Sequence, residues 1–150
     1  MNFWPILVAL AAAYVLQMAF AWVQMKSFTS AYGELRRKGK VAIGIKKGAF
    51  SSGAIVMHCV DDAGDILDSR RISGVTVFSK FRVLPGFEGK NIRTTSANDC
   101  RQQPKSVRKA TDNARENYIT IRAGGTVAEP ESPLGKLATR VSSLFTKRKE

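Results

Sequence analysis

From Phe3 to Met25 the chain reads FWPILVALAAAYVLQMAFAWVQM, 23 residues without a single charge. As a helix this run is about 34 Å long, enough to cross a hydrocarbon core of about 30 Å. Pro5 lies near its start, where a missing N–H is tolerated. Trp4 and Trp22 lie near its two ends, as an aromatic belt requires; Tyr14 and Gln24 are also amphipathic. Gln17 is the one strongly polar side chain deep inside, suited to pairing with another helix or simply tolerated. Two other readings compete. Ala19-Phe20-Ala21 resembles a signal-peptide cleavage site, but the run lacks a basic n-region and exceeds the usual apolar length. A helix packed on the core of a domain this small would keep a polar face toward water, and this segment is apolar all round. The sequence therefore predicts a single transmembrane helix over residues 1–25.

Flanking charge sets the expected orientation. Lys26, Arg36, Arg37, Lys38 and Lys40 follow the span, with Glu34 the one acid among them. The positive-inside rule then predicts a single-pass protein of the inner (cytoplasmic) membrane, N-terminus out and C-terminal part in the cytoplasm. The cytoplasm would keep Cys59 and Cys100 as free thiols; one disulfide between them would need an oxidising compartment. The net charge is +12, all of it carried after the span, which favours polyanions: nucleic acid or an anionic membrane face.

The remaining length accommodates one small domain. Phe28, Ala31, Tyr32 and Leu35 form a stripe at helical spacing, so Lys26 to Lys38 is expected to continue the helix, with Gly39 as its stop. Four strands are expected: Val41–Ile45, Ala54–Val60, Ile66–Ile72 and Val75–Val83. The second is apolar enough to be buried on both faces. Asp61 to Asp65 is a turn by composition, and the spacing suggests consecutive antiparallel hairpins. Gly89 to Gln103 reads as a polar loop. Pro104 to Ile121 reads as an amphipathic helix whose face is Val107, Ala110, Ala114, Tyr118 and Ile121. Gly124, Gly125 and the run Glu129 to Pro133 read as a linker. The expected fold class is α+β: a transmembrane helix (1–25), a basic cytoplasmic β-rich domain with flanking helices (26–122), and a linker with a flexible, amphipathic basic tail (123–150).

Catalytic chemistry finds little support. His58, the lone histidine, lies in an apolar strand, where a core role outweighs a general base. Asp61, Asp62, Asp65 and Asp68 lack the order of a calcium-binding loop and suit a solvated turn. No phosphate-binding glycine loop, nucleophile–base pair, helix-turn-helix, zinc finger or RNA-binding motif is present. The expectation is a protein that is not an enzyme and needs no cofactor or metal.

Basic clusters are the remaining signal. Arg36, Arg37, Lys38, Lys40, Lys46 and Lys47 fall within 12 residues. They suit a juxtamembrane anchor on anionic lipid or contact with DNA phosphates, and the adjacent membrane favours the anchor. In the tail, Leu134, Leu137, Val141, Leu144 and Phe145 share one helical face flanked by cations. Such a helix suits an anionic membrane surface, against the alternative of a tail that packs nowhere.

The run from Gly39 to Gly89 carries a resemblance. GKVAIG at Gly39–Gly44, GAF at Gly48–Phe50, VDDxGxIxD from Val60 to Asp68 and GVTVF from Gly74 to Phe78 follow one another in an order similar to that of the glucitol operon activator family, GutM. The similarity extends over Phe3 to about Gly89; the C-terminal third is not matched. The resemblance implies a transcriptional regulator of a sugar-alcohol (glucitol-type) utilisation operon, acting beside a separate repressor. It brings no catalytic or ligand residues. Two functions stay open: a membrane-anchored, activator-like regulator that touches DNA or a repressor protein, and a tethered interaction module or accessory subunit of a transport system without DNA contact.

Overall fold

The computed structural model describes residues 2–48, 52–74 and 79–127. Its first element, α1, is one unbroken helix from Trp4 to Lys38, so the apolar span and the stripe after it form a single rod. Pro5 sits in the first turn and Arg36, Arg37 and Lys38 in the last, where cations meet the negative end of the helix dipole. Among the described residues this is one helix long and apolar enough to cross a membrane, and its apolar stretch is unburied.

Three full strands follow: β1 (Lys40–Lys46), β2 (Gly53–Val60) and β3 (Ile66–Gly74). With the two-residue β4 (Arg82–Val83) they form an antiparallel sheet in the order β1-β2-β3-β4. A fourth strand over Val75–Val83 was the expectation from sequence. Its described part pairs only at Arg82 and Val83, against Arg71 and Arg70. Val75 to Phe78 lie outside the described residues.

The sheet is covered on both faces, which is why β2 reads as a continuous apolar run. Ala54, Val56 and Val60 face a core with Leu84, Phe87, Ile92, Cys100, Val107 and Ala110. Met57 and Cys59 face the other way, onto Ala31 and Leu35 of α1, with Phe28 and Tyr32 packed alongside. The helical stripe expected after the span thus meets the sheet. The two thiols are free, and they lie in different cores on opposite faces of the sheet.

α2 (Lys105–Arg122) covers the first of these faces with Val107, Ala110, Ala114 and Tyr118 buried. Ile121 was expected on this face but is 60% exposed. α2 approaches β1 so closely that a Cβ at Gly44 would overlap the Ala110 carbonyl and the Ala114 amide. The polar-looking stretch from Gly89 to Gln103 is more ordered than its composition suggests. Ile92, Thr95 and Cys100 are buried, and Ser96 and Asp99 form a capping box on a short 3-10 turn, Ala97–Cys100. The molecule is an α+β fold with a long apolar helix leading into a four-stranded antiparallel sheet.

Candidate functional site

The four acids of the turn region build the fold. The Asp61 carboxylate accepts hydrogen bonds from the backbone N–H groups of Gly64 and Asp65, both at 2.9 Å. Gly64 has φ 95°, a conformation open to glycine and strained for other residues. Asp65 accepts from Asn91 at 2.9 Å. Asp62 pairs with Lys40, and Asp68 with Lys38, each at 2.8 Å. The VDDxGxIxD run is therefore a turn-building device. Among the described residues no group of three or more His, Cys, Asp or Glu side chains could hold a metal ion.

His58 is wholly buried on the α2 face. Its Nδ1 hydrogen-bonds the Ser69 hydroxyl at 2.7 Å, and its ring lies 4.9 Å from that of Phe87. Burial pushes its pKa down to about 4, so the ring is neutral near pH 7. It occupies a core position. Burial also raises the pKa of the Cys59 and Cys100 thiols, the opposite of what a nucleophile needs.

The six clustered cations fall into two groups. Arg36, Arg37, Lys38 and Lys40 line one recess with Val60, Asp61 and Asp62, at the end of the sheet where α1 stops. Lys46 lies at the other end of β1, about 20 Å away over six strand steps, and Lys47 follows it. Acids are interleaved with the first group. Lys38 and Lys40 are ion-paired as above, and Arg70 lies 3.5 Å from both Glu34 and Asp68. Burial works to raise the Asp68 carboxyl pKa, but the Lys38 hydrogen bond and the charges of Arg70 and Lys38 hold it below the usual range. The hydrogen bond from Lys40 lowers that of Asp62. Close in sequence, these cations form no continuous positive surface. The tail residues Leu134, Leu137, Val141, Leu144 and Phe145 lie outside the described residues.

A concave feature runs along the outer edge of β1, a groove of about 730 Å³ between α1 and α2. Tyr32, Val41, Ile43 and Ile45 give it an apolar wall, and Arg36, Lys40 and Arg122 rim it. The edge strand is partly satisfied from α2: Asn113 accepts from the Ile45 N–H and Asn117 donates to the Ile43 carbonyl, each at 2.9 Å. Such side-chain pairing blunts an otherwise open edge. The sequence reading missed this groove. Asn113 and Asn117, one helical turn apart beside the apolar face of α2, were the available signal.

A family profile for the glucitol operon activator protein (GutM) matches residues 5–111. The match runs past Gly89 into the first turns of α2, further than the motifs alone extend. The glucitol operon activator protein of Escherichia coli (strain K12) is 30% identical over 77 residues, 51% of this chain and 65% of that protein. The alignment thus spans just under two thirds of that relative's length. No solved structure matches. With α1, the whole sheet and the start of α2 inside the matched region, this chain belongs to the glucitol operon activator (GutM) family.

Proposed function

We propose that this protein is a membrane-anchored, activator-like regulator of a sugar-alcohol utilisation operon, not an enzyme, with its folded domain in the cytoplasm. The family match carries the regulatory part of the reading. The unburied apolar stretch of α1 carries the anchor: a soluble monomer seldom exposes so large an apolar surface. The charge asymmetry around the span supports the orientation. Fusing a reporter that fluoresces only in the cytoplasm to the C-terminus tests it. A bright fusion is expected; an active C-terminal alkaline phosphatase fusion overturns it.

The contact to the transcription machinery runs through protein rather than DNA. The single observation favouring this is the pairing of two of the four Arg36–Lys40 cations, Lys38 and Lys40, with Asp68 and Asp62. A DNA surface needs cations free to replace condensed counterions along the phosphates, and half of this group is already matched by carboxylates. The β1-edge groove, apolar with a charged rim, has the make-up of a protein contact. A repressor of the same operon is the partner this reading names. A pull-down from solubilised membranes, with and without nuclease, decides the matter. Co-purification of the repressor that survives nuclease is expected, and loss of all partners on nuclease treatment reverses the reading to DNA. Capture of a sugar transporter without any regulator would instead favour an accessory subunit of a transport system.

A further inference from the structure

The sheet has two ends, and α1 brings one of them nearer than the other to a bilayer that its apolar span would cross. Beyond its apolar span α1 runs alongside β2. Gln24 and Phe28 share a recess with Gly53, Ile55, Ile72, Gly74 and Phe81 at one end of the sheet. At the other end Cys59 Sγ lies 3.1 Å from the Leu35 carbonyl, and Lys38 pairs with Asp68. Gln24 to Lys38 is about 21 Å of helix, and Gly53 to Val60 is about 24 Å of strand. The two therefore run side by side in the same direction. The helix also marks where the lipid surface falls. Lys26 Nζ sits 5.3 Å from the centre of the Trp22 ring, a tryptophan–lysine pair suited to the headgroup level.

The end of the sheet beside Gln24 is thus the one nearer the lipid surface on this reading. Five cations lie at this end or near it, with Arg82 opposite Arg71, three residues in from Gly74. Lys26 is on α1. Lys46 ends β1 opposite Ala54, and Lys47 follows it. Lys80 and Arg82 are exposed and flank Phe81, whose ring stands 5.9 Å from Phe28. The described residues of the segments that carry them, 20–33, 46–48, 52–53, 72–74 and 79–82, contain no Asp or Glu. The far end is the reverse, with Glu34, Asp61, Asp62, Asp65 and Asp68 among its cations. Arg36 lies 14 residues beyond Trp22, about 21 Å up the helix, whereas a charged surface is screened within about 8 Å.

We propose that the end of the domain bearing Lys26, Lys46, Lys47, Lys80 and Arg82 rests on an anionic phospholipid headgroup surface, holding the sheet upright on the bilayer and presenting the Arg36–Lys40 end and the β1-edge groove to the cytoplasm. This rests on the membrane-anchored reading of α1. It moves the lipid contact away from the arginine-rich end of the helix, where the linear sequence concentrates charge, to cations at the end of the sheet beside Gln24. Each such cation gains from the negative surface potential.

The test uses the full chain in vesicles of phosphatidylcholine, alone or mixed with phosphatidylglycerol, doped with a headgroup-level quencher. Lys47→Cys, Lys80→Cys and Arg37→Cys are labelled singly with a fluorophore; Cys59 and Cys100 are buried. Quenching at positions 47 and 80 should rise severalfold from neutral to anionic vesicles, and quenching at 37 should stay low in both. Adding Lys46→Glu and Arg82→Glu to Lys80→Cys should return the ratio between the two lipids to near one, while Lys46→Arg with Arg82→Lys should keep it high. Equal quenching at position 80 in both lipids, or stronger quenching at 37 than at 80, overturns the proposal. So does duplex DNA shielding positions 47 and 80 better than phosphatidylglycerol quenches them. Carbonate extraction separates the two readings. A chain released from the vesicles defeats the anchor itself, whereas a retained chain with a lipid ratio of one defeats this inference alone.

Discussion

The two faces of the sheet are closed in different ways. On one, α2 and the segment from Leu84 to Cys100 bury a broad cluster that includes Val56, Phe87, Ile92 and Val107. On the other, α1 contributes only Ala31 and Leu35 as fully buried partners for Met57 and Cys59, with Phe28, Tyr32 and Phe81 half-covered at the margins. The first face is the folding core of the domain. The second is a joint between that domain and the rod that carries it. Free energy of unfolding should therefore be concentrated on the α2 face, and coupling between anchor and domain on the α1 face.

The strongest way to break that contrast is at Phe87, wholly buried against His58. Phe87→Ala should cost about 3–5 kcal/mol, much of the stability of a domain this size. Thermal unfolding of the detergent-solubilised chain would show it as a collapse in Tm. A loss no greater than that of a change on the α1 face would mean that the core has been misplaced.

Histidine 58 sharpens the same point through pH. Its folded pKa, about 4, lies below the ordinary value of 6.5, so between these the unfolded chain binds more protons than the folded one. Stability from this group is then complete above about pH 6.5 and falls as pH drops toward 4, by about 3 kcal/mol in all. His58→Gln, which can still hydrogen-bond Ser69, should flatten the profile in that window. An unchanged acid profile in the variant would mean that the ring is hydrated in the folded state.

On the α1 face, Leu35→Ala should cost about 2–3 kcal/mol, the low end for a buried leucine, because only one helix and the sheet close around it. Its distinctive effect should be on the joint. Hydrogen exchange in β2 should rise around Met57 and Cys59 while α2 stays protected, the signature of local opening. If α2 loses protection equally, the two faces fold as one unit.

The parts legible in the sequence were those with a simple period. The uncharged run, the stripe Phe28–Leu35, the strands β1 to β3 and the face of α2 all follow from spacing of apolar residues. What escaped was set by contact across the chain. Ile92, Thr95 and Cys100 sit in a polar stretch and are buried because α2 and β3 close over them, which local composition cannot reveal. Of the fourth strand, the described part pairs with β3 at Arg82 and Val83 and is not strand over Ser79 to Phe81, although the alternation of apolar residues satisfies the same rule as a paired strand. The basic cluster was misleading for a different reason. Six cations within 12 residues look like one patch along the sequence, but β1 separates Lys40 from Lys46 by its whole length, and acids from the β2–β3 turn enter between the rest.

That interleaving supports the smallest and most discriminating prediction. Asp62 and Asp68 make ion pairs of equal length, 2.8 Å, to neighbouring lysines. Their settings differ: the Asp62 side chain is 95% exposed, that of Asp68 only 13%. An exposed pair spends its attraction on ordering two mobile side chains in water, so Asp62→Asn should leave Tm unchanged. Asp68 also faces Arg70, and its neutralisation leaves a half-buried guanidinium with one fewer partner. Asp68→Asn should cost about 1 kcal/mol, read as a small drop in Tm. The sign of its pH dependence follows from the lowered pKa. Its contribution is present above the ordinary carboxyl value of 3.8 and disappears as pH falls through the folded value, below the window in which His58 acts. The two acid transitions should therefore separate. His58→Gln should remove the loss above pH 4, and Asp68→Asn should weaken the loss that follows at lower pH. If Asp62→Asn proves the more damaging of the two aspartate changes, the Lys40 end of the sheet is held by something other than its surface charges, and the division of the domain into a core face and a joint face has to be redrawn there.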